Sequence, residues 1–471
     1  MKQSNGPQSL QLHSLPSSSI QQGRAIDWDR YSSKSYLHFD QPINIEKIKD
    51  KIEDPQWVSK YSFYPFMHFS LVMKRFRMKD GVKQKDPKER AIFYAAHKDQ
   101  FIYKYYGDLL NNAYNEYAKK SGIDDVAIAY RNNKGKSNID FSYEVFDFIL
   151  KTEESYILAI DFKSFFDTIA HKPLKQNIQR VLNTDMLEED WYKVYRNTTK
   201  FSYVHIQDYE EFLKDKYDIK YFKKCRKDKN KGLKITPAEF RNFKKRETIV
   251  SAGSSGHRKV IQRNGKSYGI PQGSGMSAVC SNVLLIDFDY DLLEWARNNS
   301  GLYRRYSDDL ILVIPGAVSK QRRAEIDDEL EAIFSRYESL GLEIQKEKTV
   351  KRLYKDREIT NENSEKSSLD YLGFVLDGRQ VRLREKSLFK YYSRAYKKVK
   401  VSNKISLATG TPPPVRDLYN LYTHLGWRHR GYGNFITYAY KAHKKMKKLK
   451  VQSHIRDQVK RHWHKINKRL L

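Results

Sequence analysis

Two adjacent acids, Asp308 and Asp309, follow Tyr306-Ser307 between the β-rich runs Leu302-Tyr303-Arg304-Arg305-Tyr306 and Leu310-Ile311-Leu312-Val313-Ile314. A third acid, Asp161, ends the apolar run Ile157-Leu158-Ala159-Ile160. The short polar interruption between the two runs predicts a hairpin with both carboxylates at its tip. Like charges at that spacing repel and shift each other's pKa, so such a tip calls for a cation. A pair of Mg²⁺ ions would neutralise it and clamp the attacking and leaving oxygens of an in-line displacement at phosphorus. Taken singly, each feature has a plainer reading. An Asp-Asp pair is more often a solvated turn than a site, and Asp161 alone would serve as a helix cap.

The elements around these acids give them an order. A strand delivers Asp161, and Phe162-Lys163-Ser164-Phe165-Phe166-Asp167 then reads as an apolar helical turn. Downstream, Gly269-Ile270-Pro271-Gln272-Gly273-Ser274-Gly275-Met276-Ser277 is a glycine-punctuated loop that lets a backbone or base approach closely, and it leads into the helical run Ala278-Val279-Cys280-Ser281-Asn282-Val283-Leu284-Leu285. After the paired acids come Gly341-Leu342-Glu343-Ile344, then Gln345-Lys346-Glu347-Lys348-Thr349, then Leu369-Asp370-Tyr371-Leu372-Gly373-Phe374. Five such elements in this sequence are far rarer than any one of them.

In that order the chain resembles the reverse transcriptases, over roughly residues 40–380. Asp161 matches the family's first palm motif, Pro271-Gln272-Gly273 the second and Tyr306-Ser307-Asp308-Asp309 the third, while Lys348 and Leu372-Gly373 match the fourth motif and the primer grip. Ser307 and Gly275-Met276 depart from the commonest pattern. The resemblance implies an α+β right-hand polymerase. Its parts would be a disordered N-terminus at residues 1–24, fingers at 25–150, a palm at 151–380 with a basic insertion at about 195–260, and a helical thumb at 381–471.

It also implies roles. Asp161 and Asp308 would ligate two Mg²⁺ ions, with Mn²⁺ as a substitute. Asp309 would sit near the primer terminus, and the Phe162 carbonyl would complete one coordination sphere. Lys348 would protonate pyrophosphate, although outside the family context it reads as a solvated lysine. Phe166 would be a steric gate against ribonucleotides, with Phe165 beside it as the exchangeable alternative and a core Phe as the plain one. Gln272 and Gly273 would line the incoming base and sugar. Lys88-Glu89-Arg90-Ala91-Ile92-Phe93-Tyr94-Ala95-Ala96-His97-Lys98-Asp99 and Ala129-Tyr130-Arg131-Asn132-Asn133-Lys134-Gly135-Lys136 resemble fingers motifs. Arg131 would bind the triphosphate through its forked donors, with Arg90 or Lys98 assisting, and Asn132 to Ser137 reads otherwise as a surface loop.

Composition points to a polyanionic partner independently. Lys and Arg number 88 against 57 acids in 471 residues, a net charge of +31. Residues 381–471 hold 24 basic residues against Glu385, Asp417 and Asp457, a net +21. Aromatics interleave with that charge in Phe389-Lys390-Tyr391-Tyr392-Ser393-Arg394-Ala395-Tyr396-Lys397-Lys398 and in Trp427-Arg428-His429-Arg430-Gly431-Tyr432, the combination that stacks bases and neutralises phosphates. On charge alone, Lys441 to Lys450 and Arg461 to Arg469 read as a solvated face or a basic tail. A helical thumb is expected on both sides of Thr411-Pro412-Pro413-Pro414.

Between the first two palm motifs lies the basic cluster Lys220 to Lys231, followed by the flexible stretch Ser251-Ala252-Gly253-Ser254-Ser255-Gly256. That insertion reads either as a grip on RNA or a protein partner, or as a loosely ordered excursion. No run is apolar for the length of a membrane span. Cys225 and Cys280 make neither a disulfide framework nor a zinc site, so a reducing cytoplasm is expected. Phe63-Tyr64-Pro65-Phe66-Met67-His68-Phe69, Ala127-Ile128-Ala129-Tyr130-Arg131 and the Asp161 to Asp167 phrase look most like bacterial antiviral reverse transcriptases, in particular the first enzyme of the paired type-three defence systems. That resemblance implies a non-coding RNA template, a DNA product, deoxynucleotide substrates, a second reverse transcriptase and a higher-order assembly, with no membrane. A template-independent or protein-primed terminal deoxynucleotidyl transferase and a non-catalytic RNA-binding scaffold are the competing classes.

Overall fold

The apolar run that ends in Asp161 becomes the middle strand of a five-stranded sheet. In the computed structural model, which describes residues 26–470 except 74–75, 80–81, 86, 228–232, 250–255 and 425–433, Glu154–Asp161 is flanked by Asp309–Pro315 on one side and Val350–Lys355 on the other. Both pairings are antiparallel. Leu302–Tyr306 and Glu358–Thr360 complete the two edges. A strand covered on both faces reads as continuous rather than alternating hydrophobicity, and Tyr156, Ile157, Leu158 and Ile160 are all buried. The expected N-terminal tail at residues 1–24, the run Trp427 to Tyr432, the stretch Ser251 to Ser255 and the end of the basic cluster, Asp228 to Lys231, lie outside the described residues.

The chain divides into two compact units, each assembled from three segments. The unit that holds this sheet comprises Lys134–Asp161, Asp291–Ile333 and Ile344–Leu471. The helix Asn138–Lys151 opens it with a capping box between Ser137 and Asp140, which satisfies two of the backbone donors left free at a helix start. Its Val145, Phe146 and Ile149 join Ile157, Ile311 and Val313 in one core. A second sheet of Leu369–Tyr371, Phe374–Leu376, Gln380–Leu383 and Gln452–Ser453 extends that core. The helix Glu385–Thr409 follows, burying Tyr391, Ala395, Val399 and Ser402 at the three- and four-residue spacing of a single face. It stops at Gly410, whose φ of +67° is the left-handed cap that glycine takes without strain. The helices Val415–Tyr422, Phe435–Met446, Ile455–Val459 and His462–Asn467 complete a C-terminal region that is helical on both sides of the proline break, as its periodicity implies.

The other unit comprises Met1–Asn133, Phe162–Tyr290 and Phe334–Glu343. Its four-stranded sheet runs Lys88–Tyr94, Phe66–Met73, Ser202–His205, Gln262–Arg263, with the middle pair parallel and the outer pairs antiparallel. The long helix His97–Lys120 lies against Gly275–Leu284 so closely that a β-carbon on Gly107 would come within 2.8 Å of the Gly275 carbonyl oxygen. The described residues of the insertion pack onto an apolar core. Its helices Ile206–Lys216, Ile219–Lys227 and Pro237–Lys244 bury Tyr209, Phe212, Leu213, Phe222, Cys225 and Phe243 against Leu37, Phe39 and Met67. The fold is therefore α+β, with antiparallel pairing dominant.

Candidate active site

The turn between Leu302–Tyr306 and Asp309–Pro315 is tighter than the sequence implies. Tyr306 pairs with Asp309, so the loop is Ser307-Asp308 alone and Asp309 opens the returning strand instead of sharing the tip. Ser307 carries a φ of +63°, a conformation that costs a residue with a β-carbon about 1–2 kcal/mol. A buried guanidinium holds it there. Arg305 has no exposed surface and donates from Nη1 to the Ser307 carbonyl at 3.0 Å. Strand alternation explains its place, since Tyr303, Arg305 and Ser307 all turn inward.

Asp309 stands directly opposite Asp161 in the ladder. Residues so paired share a face, with β-carbons about 5 Å apart. Asp309 reaches solvent, yet the protein packed around it and the negative charges of Asp308 and Asp161 push its carboxyl up to about 6. Arg384 and Lys348 oppose that rise without cancelling it. Lys348 Nζ lies 3.1 Å from Asp161 Oδ2 and also donates to the Gln345 side chain, while the Gln345 backbone N–H donates to the Asp161 carbonyl at 2.9 Å. Residues 345–348 thus clip the end of the acid-bearing strand.

Among the described residues, no three His, Cys, Asp or Glu side chains are gathered into a ready-made metal cage. The donor chemistry nonetheless suits a hard divalent cation. Three carboxylates offer only oxygen ligands, and the part of the Asp309 shift that comes, after burial, from the charges of Asp308 and Asp161 is one that a cation would relieve.

Phe162, Phe166, Gln272, Gly273 and Arg131 lie in the unit that holds the four-stranded sheet with Phe66–Met73. Phe165 is the core ring, stacked on the buried Phe162 at 5.6 Å between centroids, whereas Phe166 is only half-buried. The Phe166 carbonyl accepts from Ile270 N–H at 2.9 Å, tying this turn to the loop that carries Gln272 and Gly273. The Gln272 carbonyl accepts in turn from Phe93 N–H at 3.1 Å. Gly273 has a φ of +123°, and a β-carbon there would fall 2.4 Å from the Phe93 carbonyl oxygen.

Arg131 departs from its expected role. Its side chain has no exposed surface. Nη2 pairs with the Asp124 carboxylate at 2.5 Å, Nη1 donates to the Asp124 and Ala127 carbonyls at 2.9 and 3.3 Å, and Nε donates to the Asn115 side chain. The guanidinium also lies 5.1 Å from the centre of the Tyr114 ring. A triphosphate would have to pull it out of all of these, so Arg131 is an internal strut.

Residues that sequence reasoning passed over are Arg305, Gln345 and Arg384. Alternation along the strand was a signal for Arg305. Nothing local marks the other two, because Gln345 matters through a backbone contact with Asp161 and Arg384 through the field it casts on Asp309.

Solved structures that the chain is similar to include telomerases and a chain of an RdRp complex. Apo telomerase from Candida tropicalis, truncated of its C-terminal domain, aligns at 11% identity with a TM-score of 0.41, covering 75% of this chain and 63% of the telomerase. Telomerase from Candida albicans in complex with a TWJ fragment of telomeric RNA aligns at 12% identity and 0.36, covering 92% of this chain and 70% of that one. A chain of an RdRp complex aligns at 12% identity and 0.41, covering 77% of this chain and 28% of its own length. No family model and no curated protein matches the sequence.

Proposed function

We propose that the chain is an RNA-directed DNA polymerase of right-hand architecture that copies an associated non-coding RNA in antiphage defence. The observation that carries the polymerase reading is the placement of Asp161 directly opposite Asp309, with Asp308 in the intervening turn and Lys348 hydrogen-bonded to Asp161. Asp161, Asp308 and Asp309 would hold two Mg²⁺ ions, which supply charge neutralisation and activation of a primer hydroxyl when bound. Arg305 holds the turn that presents Asp308. Gln345 fixes the strand end that presents Asp161. Lys348, hydrogen-bonded to Asp161, would give a proton to departing pyrophosphate.

The half-buried setting of Phe166 supports the gate role at that ring in preference to Phe165, and a gate against the 2′-hydroxyl favours deoxynucleotides. The rigid turn at Gly273 supports the role of Gln272-Gly273 beside the base and sugar. The reading of RNA as template, of a companion reverse transcriptase and of defence rests on the resemblance of the Phe63 to Phe69, Ala127 to Arg131 and Asp161 to Asp167 phrases. The net charge of +31 accords with a polyanionic template.

The test is incorporation of labelled deoxynucleotides by purified protein with co-purified RNA and Mg²⁺. Asp308→Ala with Asp309→Ala should lower it at least 10³-fold. Activity in that double variant refutes the site, and a product unrelated to the bound RNA refutes the templated reading in favour of a terminal transferase.

A further inference from the structure

The helix Ile219–Lys227 in the insertion has two unlike faces. Phe222 and Cys225 enter the core, while Lys220, Lys223 and Lys224 point to solvent at the spacing that puts them on one side of a helix. The local charge is extreme. Residues 219–246 contain twelve Lys and Arg against two acids, Asp228 and Glu239.

Folding has consumed part of that charge. Lys216 pairs with Glu239 at 2.8 Å and Arg246 with Asp215 at 2.9 Å. Asp218 is occupied as the helix cap, accepting from Lys220 and Tyr221 N–H. Glu210 and Glu211 lie on the preceding helix. Lys220, Lys223, Lys224, Arg241 and Lys245 remain exposed with no ion pair among the described residues. Such a concentration of unpaired like charge is unfavourable in the free protein and is relieved by a polyanion. Beside it, Tyr217 and Tyr221 lie with ring centroids 5.4 Å apart, and Tyr221 is 43% exposed. Tyr217 is half-buried against the core with Lys216 over its ring, so Tyr221 is the exposed ring, and beside a row of cations it offers a stacking surface for unpaired bases, which a duplex does not present.

We propose that the Lys220–Lys223–Lys224 face, with Tyr221, is a docking surface for single-stranded RNA. The choice of RNA over DNA rests on the proposed function; the charge and aromatic geometry do not. Because each lysine faces solvent, replacing it with alanine removes charge while raising helix propensity, so the fold is not threatened.

The experiment measures binding of the full chain to a labelled single-stranded RNA of mixed sequence, across a salt series and without nucleotides, in the Asp308→Ala/Asp309→Ala background. RNA docking is thereby read whether or not the chain polymerises. Lys220→Ala with Lys223→Ala and Lys224→Ala should flatten the log–log salt slope by about 2, at roughly 0.7 per lost phosphate contact, and weaken binding roughly 100-fold at 0.1 M salt. Tyr221→Ala should weaken RNA binding several-fold with the slope unchanged. An unchanged slope in the triple variant overturns the surface. Equal binding of single-stranded DNA, with equal loss, overturns the assignment to RNA. Equal binding of duplex RNA overturns the stacking argument. Far-UV circular dichroism of the triple variant should match the parent.

Discussion

Replacing Arg131 with alanine should unfold the protein more readily instead of weakening its grip on nucleotide. The guanidinium is wholly buried and makes an ion pair with Asp124, two bonds to backbone carbonyls and one to Asn115. Removing one partner of a buried pair costs about 3–5 kcal/mol, because the other charge is left without compensation. Here the Asp124 side chain keeps 36% of its exposure and can be rehydrated, so the charge part falls below that range to about 1 kcal/mol, while the Asn115 and Ala127 groups lose partners at about 1 kcal/mol each. The net loss should be about 3 kcal/mol. For a unit of this size, that lowers the melting temperature by about 6 °C at roughly 2 °C per kcal/mol. Arg131→Lys should recover little, since an ammonium cannot span four acceptors arranged for a planar fork. The assay is thermal melting of parent and variants in the absence of nucleotide, alongside the KM for deoxynucleotides. An unchanged melting temperature together with a tenfold higher KM would refute the strut and restore Arg131 to the triphosphate.

Other consequences follow from the site. Phe166→Val should raise incorporation of ribonucleotides relative to deoxynucleotides by 10-fold or more in single-nucleotide extension, whereas Phe165→Ala should leave that ratio alone and cost about 3–4 kcal/mol of stability by emptying a core position. Asp309, with its carboxyl raised to about 6, is protonated in the metal-free protein below that pH. Metal affinity followed by calorimetry with Mg²⁺ should therefore fall as pH drops through about 6. The sign for stability is the reverse: a carboxyl raised on folding favours the folded state when neutral, so the metal-free protein should lose stability as pH rises from about 4 to 6 and level off above. A metal affinity that is flat between pH 5 and 7 would remove Asp309 from the ligand set. Gly273→Ala should cripple folding or activity, because the new β-carbon meets a backbone oxygen that cannot yield at a φ glycine alone takes freely; soluble, fully active protein would show that the loop does not need its conformation.

What was legible in the sequence had a local cause, and what was missed had a distant one. The strand ending in Asp161, the Leu302 to Ile314 hairpin and the helical C-terminal region each announce themselves through short-range hydrophobic pattern and turn chemistry, and each is present. The hairpin was read one residue too wide because pairing register depends on which side chains the neighbouring strand buries; the Asp309–Asp161 pairing draws Asp309 into the ladder. Arg131 looked like a phosphate ligand because its five donors are visible in the sequence and their acceptors are not. Asn115 and Asp124 occupy those donors only once the helix His97–Lys120 and the following turn are in place. The insertion could be read two ways, as a grip or as a loose excursion, for the same reason. Its charge is local, but the apolar wall that orders it, Leu37, Phe39 and Met67, comes from far upstream. The same distinction separates the two basic surfaces. On the long helix Glu385–Thr409 and on the helix Ile219–Lys227, cations line up on one side only because a buried stripe on the other side fixes the rotation of the helix. A lysine-rich segment becomes a directional surface through the apolar residues between the lysines, and those residues give a reason to treat the charge at Lys220, Lys223 and Lys224 as a surface that can meet a polyanion in one orientation.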